Sequence, residues 1–291
     1  MSRWYGSVVL VTGASSGIGK SIAQYLAQRG YRVYGTSRKP QAVADIDNAD
    51  SEKYDRNNSG SGTSAGFVQM LQMDVCSEES VKAAIEKVVE LEGEIGIVVN
   101  NAGMGIAGSV EDTSSDEAFL QMDTNFFGVH RVIRQVLPYM RKAGRGLIVN
   151  MSSVGALFPI PYQSMYVAAK AAVEGMSGSL RNELKPFGIK VAIVEPGDTK
   201  TGFTGSRIFV EAGGDESAYS EYSRRSIAVM EHDEANGPDP VVVAKVVGKI
   251  ITQKNPPVCV TVGIQYKLLV FLKRLIPKSL ESFIVSQMYK G

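Results

Sequence analysis

The chain has 291 residues, of which 44% are hydrophobic and 21% charged, and its formal net charge at pH 7 is +1. This composition supports a well-buried core, and the near-neutral charge argues against a nucleic acid as partner. With only two cysteines and two histidines, neither a disulfide framework nor a metal site is expected. The sequence shows no apolar run long enough to cross a bilayer and no signal-peptide pattern, which predicts a soluble, cytoplasmic protein.

Strand-like and helix-like segments alternate along the first two thirds of the sequence. Ser7–Thr12 is a short apolar run, Gly17–Arg29 has helical spacing, and Tyr31–Ser37 alternates in polarity as a strand does. The same criteria predict strands at Val68–Asp74, Ile97–Asn100, Gly146–Asn150 and Lys190–Glu195, and helices at 77–90, 114–140 and Ser164–Lys185. This alternation predicts an α/β fold of the Rossmann type, with a doubly wound parallel sheet of about seven strands flanked by helices.

We expect one domain, with residues 1–201 as the cofactor-binding and catalytic core. Within it, the polar stretch Pro40–Ala65 is typical of a mobile surface insertion. Residues 202–238 are Gly-rich and weakly periodic, which favours a mobile substrate flap. Residues 239–291 begin with Asp-Pro, a common helix start, and are expected to add a last strand and a C-terminal helical extension.

The first predicted strand ends in TGASSGIG (Thr12–Gly19) and opens directly into a helix. Glycines let the backbone approach a pyrophosphate, and a helix N-terminus offers free N–H groups to an anion. The overlapping segment ASSGIGKS (Ala14–Ser21) also fits a relaxed P-loop pattern, in which Lys20 and Ser21 would serve a nucleoside triphosphate and magnesium. A dinucleotide is favoured because it also explains the polar ends of the later strands.

The second predicted strand ends in Ser37, Arg38 and Lys39. An acidic residue at this place binds the ribose 2′-hydroxyl of NAD, whereas an arginine accommodates the 2′-phosphate of NADP. Arg38 therefore argues for NADP(H), with NAD(H) as the alternative, although a solvated basic turn explains it equally well. The later strands end in Asp74–Val75, Asn100–Gly103, Asn150–Ser153 and Pro196–Gly197.

The helix predicted at Ser164–Lys185 carries a phenol and an ammonium one turn apart, at Tyr166 and Lys170. Such pairs arise by chance on helices, so the spacing alone does not assign them a function. A nearby ammonium and the positive nicotinamide of an oxidised cofactor both favour the phenolate, so we expect a lowered pKa for Tyr166 if the pair is catalytic.

Taken together, these motifs resemble the short-chain dehydrogenase/reductase family over roughly Ser7–Thr201, closest in character to its 17β-hydroxysteroid and retinol dehydrogenase branch. The matching segments are TGASSGIG, DV (Asp74–Val75), NNAG (Asn100–Gly103), Asn125 in DTNFFGV, Ser153, YVAAK (Tyr166–Lys170) and PGDTKT (Pro196–Thr201). The chain departs from the family pattern at Asp198 and Lys200, where members often carry uncharged residues.

The resemblance implies an enzyme that interconverts a secondary alcohol and a ketone by hydride transfer. It implies Tyr166 as general acid and base, Lys170 as its partner and ribose ligand, and Ser153 as the group that binds the substrate oxygen. Asn125 would anchor a water between Lys170 and solvent. The implied cofactor-binding residues are Gly13, Ser15, Ser16, Gly17, Ile18, Gly19, Ser37, Arg38, Asp74, Val75, Asn101, Ala102, Gly103, Tyr166, Lys170, Pro196, Gly197, Thr199 and Thr201.

Substrate predictions rest on the flap and on the apolar stripe of the C-terminal extension, Tyr266–Val285. A bulky apolar alcohol or ketone, such as a hydroxysteroid, is the first choice, and a β-ketoacyl or small-carbonyl reductase is the alternative. A catalytically silent nucleotide sensor is disfavoured by the intact Ser153, Tyr166 and Lys170. The expected substrate contacts are Ser153, Tyr166, Met104, Val154, Phe158, Tyr162 and Phe203, with Ile106 and Leu157 as further wall candidates.

The resemblance also implies a homodimer or homotetramer, formed through the two long helices at 114–140 and Ser164–Lys185. The C-terminal stripe must be buried against the core, a partner or a lipid surface, so peripheral membrane contact is allowed. We expect it to close over the substrate pocket.

Overall fold

The structure is a computed structural model, and it describes residues 3–39 and 66–290. The predicted surface insertion at Pro40–Ala65 lies outside the described residues. Strands occur at β1 (Val8–Val11), β2 (Arg32–Ser37), β3 (Phe67–Gln72), β4 (Ile97–Asn100), β5 (Ile106–Ala107), β6 (Gly146–Met151), β7 (Ile189–Glu195), β8 (Ile208–Phe209) and β9 (Cys259–Thr261). Helices occur at α1 (Gly17–Ala27), α2 (Glu78–Glu92), α3 (Ser115–Met122), α4 (Gly128–Ala143), α5 (Ser164–Glu183), α6 (Ser220–Ala235), α7 (Val241–Ile251), α8 (Ile264–Lys273) and α9 (Lys278–Met288).

Seven of the described strands form one parallel sheet in the order β3-β2-β1-β4-β6-β7-β9. The predicted Rossmann-type sheet is therefore confirmed. From β1 the chain adds β2 and β3 on one side of the sheet, and from β4 it adds β6, β7 and β9 on the other side. In such sheets ligands bind beyond the carboxyl ends of the strands at this switch point between β1 and β4. β5 and β8 form a separate parallel pair.

Two apolar layers cover the sheet, one on each face. On one face, α1 and α7 pack through residues such as Leu26 and Val247, both fully buried. On the other face, α2, α4 and α5 pack through residues such as Ile85, Val136 and Val173. Because both faces are covered, the central strands β1 and β4 are buried along their whole length, which explains their continuous apolar sequences.

Local sequence signals position two of the helices. Ser77 caps α2 by accepting a hydrogen bond from the Ser80 amide, as its position before the helix predicts. Ser114 and Glu117 form the predicted capping box at the start of α3. The long helix predicted from there to Met140 is interrupted by a π-helical turn at Asp123–Phe127, which separates α3 from α4.

The predicted flap contains a helix that the sequence analysis missed. Residues 202–238 include α6, a 16-residue helix whose inner face is made mostly of serines, with Ile227 and Met230 as its buried apolar residues. Small polar residues on the buried face remove the apolar periodicity by which amphipathic helices are recognised. Among the described residues, no helix is long and apolar enough to span a membrane.

Candidate active site

A cavity of about 860 Å³ opens at the carboxyl ends of the central strands. It extends from the turn after β1 to the C-terminal helices α8 and α9, so one space joins the predicted cofactor site and the predicted substrate site. All the predicted cofactor residues except Gly19 line it. Gly19 instead lies where α1 crosses the strand, and a Cβ there would overlap the carbonyl of Gly13.

The turn between β1 and α1 fits a pyrophosphate. Gly13 has a φ of +66°, and a Cβ added to it would lie 2.8 Å from the Cα of Ala102, so only glycine fits at this place. Ser16 is the N-cap of α1, and its side chain forms no capping hydrogen bond within the described residues. The first N–H groups of α1 are therefore directed to an anion by backbone geometry rather than by a side-chain cap.

Thr12 fixes the switch point, a role that the sequence analysis did not assign to it. Its hydroxyl accepts hydrogen bonds of 2.9 Å from the backbone amides of both Asn101 and Ala102. The Asn101 side chain in turn donates to the carbonyls of Thr12 and Gly13 at 3.0 and 3.1 Å. These bonds hold the ends of β1 and β4 together under the cavity floor.

The predicted catalytic side chains converge on one part of this cavity. The Ser153 hydroxyl lies near the Tyr166 phenol, where hydrogen bonding between them lowers the phenol's pKa, and the ammonium of Lys170 lies 5.8 Å from the centre of the Tyr166 ring. Lys170 is buried and donates a 2.9 Å hydrogen bond to the carbonyl of Met151. The Phe203 ring, 5.9 Å from the ring of Tyr166, flanks the phenol.

Burial is the largest electrostatic effect on this pair. Burial raises the pKa of Tyr166, and this effect is larger than the lowering by the Ser153 hydrogen bond. Burial lowers the pKa of Lys170 to about 8. In the chain without cofactor, desolvation is therefore the larger effect, and the lowering of the Tyr166 pKa by Lys170 together with an oxidised nicotinamide stays a prediction. A phenol that stays protonated at neutral pH is suited to donate a proton.

Asn125 is fully buried in the π-helical turn, and both atoms of its side-chain amide are engaged. Its Oδ1 accepts from the amide of Met104 and its Nδ2 donates to the carbonyl of the same residue, each at 2.9 Å. Asn125 therefore holds in place the backbone of Met104, which lies in the loop after β4 and lines the cavity. Its predicted role in anchoring a water stays a prediction.

The predicted substrate contacts Met104, Val154, Phe158 and Phe203 line the cavity, but Tyr162 does not. Tyr162 has a φ of +60°, and its carbonyl accepts a hydrogen bond from Gly108. Its ring packs with Ile227 and Met230, beside β5, rather than facing the cavity. The further wall candidates Ile106 and Leu157 also lie outside the lining.

Several lining residues come from outside residues 1–201, in α6 and in the C-terminal helices. α6 provides Met230, Asp233 and Glu234. The C-terminal extension provides an apolar wall of Leu269, Leu272, Ile276, Ile284, Val285, Met288 and Tyr289. The serine-rich buried face of α6 gave no apolar signal in the sequence, whereas the C-terminal stripe was expected to close over the substrate pocket.

The geometry defines a class of protein: a dinucleotide-binding α/β fold with a serine, tyrosine and lysine at the carboxyl edge of its sheet. The sequence profile of the short chain dehydrogenases matches residues 7–208. The chain belongs to this family, whose fold binds NAD(H) or NADP(H), and it is an oxidoreductase. The P-loop and silent-sensor alternatives are therefore set aside. In the described part of the chain, no group of three His, Cys, Asp or Glu side chains is placed to hold a metal ion.

The chain is also similar to individual proteins over most of its length. The chain is 43% identical over 256 residues to a 3-ketodihydrosphingosine reductase of Bacteroides thetaiotaomicron, covering 88% of this chain and 87% of that protein. It is 34% identical over 278 residues to retinol dehydrogenase 8 of Bos taurus, covering 92% and 85%. A crystal structure of a short-chain dehydrogenase from Streptomyces avermitilis superposes with a TM-score of 0.78 at 31% identity, covering 97% of this chain and 99% of that one.

Proposed function

We propose that this protein is an NADP(H)-dependent reductase of a large apolar ketone, in which the ketone and the corresponding secondary alcohol are interconverted. The observation that carries the proposal is the continuity of the cavity. It extends without interruption from the Tyr166 phenol to the apolar wall formed by α8 and α9. A small carbonyl substrate does not need that wall, which disfavours a small-carbonyl reductase.

The roles of the side chains follow from their positions. The bound nicotinamide supplies the hydride that the carbonyl carbon accepts. The Ser153 hydroxyl donates a hydrogen bond to the carbonyl oxygen as negative charge develops there. The Tyr166 phenol, kept protonated by burial, then gives its proton to that oxygen. Lys170, held by the Met151 carbonyl, keeps a positive charge beneath the phenol and is placed to bind the nicotinamide ribose.

The preference for NADP(H) rests on the end of β2. Ser37, Arg38 and Lys39 line the cavity there, and no carboxylate occupies this segment. A guanidinium binds a ribose 2′-phosphate through charge-assisted hydrogen bonds, whereas a carboxylate would repel it.

The proposed substrate is a long-chain keto lipid such as 3-ketodihydrosphingosine. The 43% identical reductase supports this choice, as does the flexible apolar lining of methionine, leucine and isoleucine side chains, which suits an alkyl chain. A rigid polycyclic or polyene substrate, such as a hydroxysteroid or a retinoid, is the second candidate. It is favoured by the 34% identity to retinol dehydrogenase 8.

A substrate panel tests the proposal. Purified protein is incubated with NADPH and, in turn, 3-ketodihydrosphingosine, a 3-ketosteroid, retinal and a short β-ketoester, and the NADPH absorbance is followed. We expect kcat/KM for the long-chain ketone to exceed that for the short ketoester by at least tenfold. An equal or higher value for the short ketoester would contradict the proposed substrate class, and no turnover of any carbonyl would contradict the proposed function.

We further propose that the protein is a cytoplasmic homodimer or homotetramer. Phe119 and Leu120 on α3 and Phe127 before α4 are exposed on the predicted helical interface. Exposed aromatic and aliphatic side chains of this kind are typical of surfaces that pair with a second subunit. Sedimentation velocity measures the oligomeric state of the purified protein, and the variant Phe119→Ser is the comparison.

A further inference from the structure

The C-terminal helices α8 and α9 are apolar on two sides. Leu269 of α8 and Val285 of α9 pack inward with Phe158. On the outer side, Ile264, Leu268, Phe271 and Leu275 recur at helical spacing and are 80%, 58%, 57% and 67% exposed. Leu280 and Phe283 continue this outer face on α9, at 44% and 61% exposure. We call these six residues the outer apolar face.

This face is too apolar to be an ordinary solvated surface. Single exposed apolar side chains are common, but a contiguous group on two successive helices marks a surface that contacts something other than water. Leu272, Ile284 and Met288 belong both to the exposed surface and to the cavity wall. The outer apolar face is therefore continuous with the mouth of the cavity.

The charges around the face identify what covers it. From Ile264 to Lys290 the sequence has five basic residues and one acidic residue. That acid, Glu281, is 3% exposed and is paired with Lys273 and Lys278. Lys267 and Arg274 are exposed and form no salt bridge within the described residues. The surface is thus positive, although the whole chain has a net charge of only +1.

We propose that the outer apolar face docks on an anionic lipid bilayer. Amphipathic helices that lie in a membrane surface combine an apolar face with flanking lysines and arginines, which bind anionic headgroups. A second copy of the chain fits less well, because pairing two such faces would bring like charges together. Docking would place the cavity mouth against the acyl chains. Direct transfer of substrate from the bilayer follows from docking only if the proposed apolar substrate is correct, whereas docking itself does not depend on it.

The test is vesicle co-sedimentation of the full-length protein. Vesicles of phosphatidylcholine alone are compared with vesicles that contain 30 mol% phosphatidylglycerol, a composition on the order of that found in anionic biological membranes. We expect at least tenfold tighter binding to the anionic vesicles, and a loss of that difference at about 0.5 M salt.

Two variants separate the apolar and electrostatic contributions. The triple variant Leu268→Ser, Phe271→Ser, Leu275→Ser should lower binding to anionic vesicles at least tenfold, and Lys267→Gln with Arg274→Gln should lower it several-fold. None of these side chains lines the cavity, so turnover of a short, water-soluble ketone and the melting temperature should stay unchanged. Phe187→Ser, which removes an exposed aromatic ring elsewhere, is the matched control and should bind as the wild type does.

Three outcomes would overturn the proposal. The first is no binding to either kind of vesicle. The second is equal binding of the triple variant and the wild type. The third is a change in oligomeric state of the triple variant by sedimentation velocity without a change in vesicle binding, which would assign the face to a second copy. Each is independent of the substrate panel, since vesicle binding is measured without turnover.

Discussion

The phenol of Tyr266 and the carboxylate of Asp198 connect the C-terminal extension to the catalytic core. The Tyr266 hydroxyl donates a 2.6 Å hydrogen bond to Oδ2 of Asp198 and accepts one of 3.1 Å from the Asp198 amide. The Tyr266 ring lies against Gly197, where any Cβ would overlap it. Asp198 was, with Lys200, one of the two departures from the family pattern in the sequence. In the structure it is the residue through which the cavity wall is attached to the turn after β7.

Removing the Tyr266 hydroxyl should loosen that wall. Tyr266→Phe leaves a half-buried carboxylate without its donor, a loss worth about 1–3 kcal/mol for a bond to a charged group. We expect KM for a long-chain ketone to rise about three- to tenfold while kcat changes less than about twofold. Tyr289→Phe is the matched control, since Tyr289 lines the same cavity but its hydroxyl forms no hydrogen bond within the described residues. Equal effects of the two variants would mean that the Tyr266–Asp198 bond does not position the wall.

Replacing the phenol at position 166 should stop proton transfer without disturbing the cofactor site. Tyr166→Phe keeps the ring that packs against Phe203 but removes the proton donor. General acid catalysis is worth about 10²–10⁴-fold, so kcat should fall by that factor while the Kd for NADPH changes less than about threefold. Tyr162→Phe, on the neighbouring tyrosine outside the cavity, should keep near wild-type activity. Substantial turnover by Tyr166→Phe would assign the proton to another group.

Arg38 should decide between the two dinucleotides. Arg38→Ala removes a charge-assisted contact worth about 1.5–3 kcal/mol, so the Kd for NADPH should rise about ten- to 150-fold. The Kd for NADH should stay within about twofold, since NADH has no 2′-phosphate. Fluorescence titration of both cofactors measures this. Arg145→Ala, which breaks a surface salt bridge to Glu94, is the control. Equal or tighter binding of NADH to the wild type would contradict the proposed preference.

A pair of carboxyl groups, Glu174 on the catalytic helix α5 and Glu195 at the end of β7, should make stability depend on pH. Oε1 of Glu174 accepts a 2.7 Å hydrogen bond from Ser152, and Glu195, 4% exposed, lies next to it. Burial, and to a smaller extent the charge of Glu195, raises the pKa of Glu174 to about 7. Because the folded pKa is above the unfolded one, the stabilising contribution of the protonated group is present at low pH. It is lost as the pH rises through about 7.

Glu174→Gln should abolish this dependence, since the amide has no proton to lose in this range. We expect the melting temperature of the variant to exceed that of the wild type by about 2–4 °C at pH 8 and to match it at about pH 4, below the pKa of the unfolded carboxyl. Thermal unfolding at both values measures the difference. Glu183→Gln, an exposed residue of the same helix, serves as control. A wild-type protein that is more stable at pH 8 than Glu174→Gln would contradict the raised pKa of Glu174.

The P-loop pattern at Ala14–Ser21 should not support hydrolysis of a nucleoside triphosphate. Lys20 is not among the residues that line the cavity, and the glycine turn before it has the geometry that fits a pyrophosphate. We expect no phosphate release from ATP with magnesium, and Lys20→Ala should leave ketone reduction within about twofold of the wild type. Magnesium-dependent release that disappears in Lys20→Ala would assign the segment a second activity.

The sequence determined the features that depend on neighbouring residues. The strand and helix order follows from apolar periodicity, and the caps at Ser77 and Ser114 follow from side chains three residues from their amide partners. The ends of parallel strands meet at one edge of a sheet, so the order of strand-end motifs was enough to predict that Gly13, Asn101 and Ser153 line one cavity.

The tertiary structure decided the features that depend on burial and on distant contacts. The serine-rich inner face of α6 has no apolar periodicity, so only packing against the core shows that this helix lines the cavity. The rise in the Tyr166 pKa comes from desolvation, which a helical spacing of four residues does not reveal. The C-terminal stripe was visible in the sequence. Its division between the cavity wall and the outer apolar face depends on how α8 and α9 pack against Phe158 and on the bond from Tyr266 to Asp198, which are contacts between residues far apart in the chain.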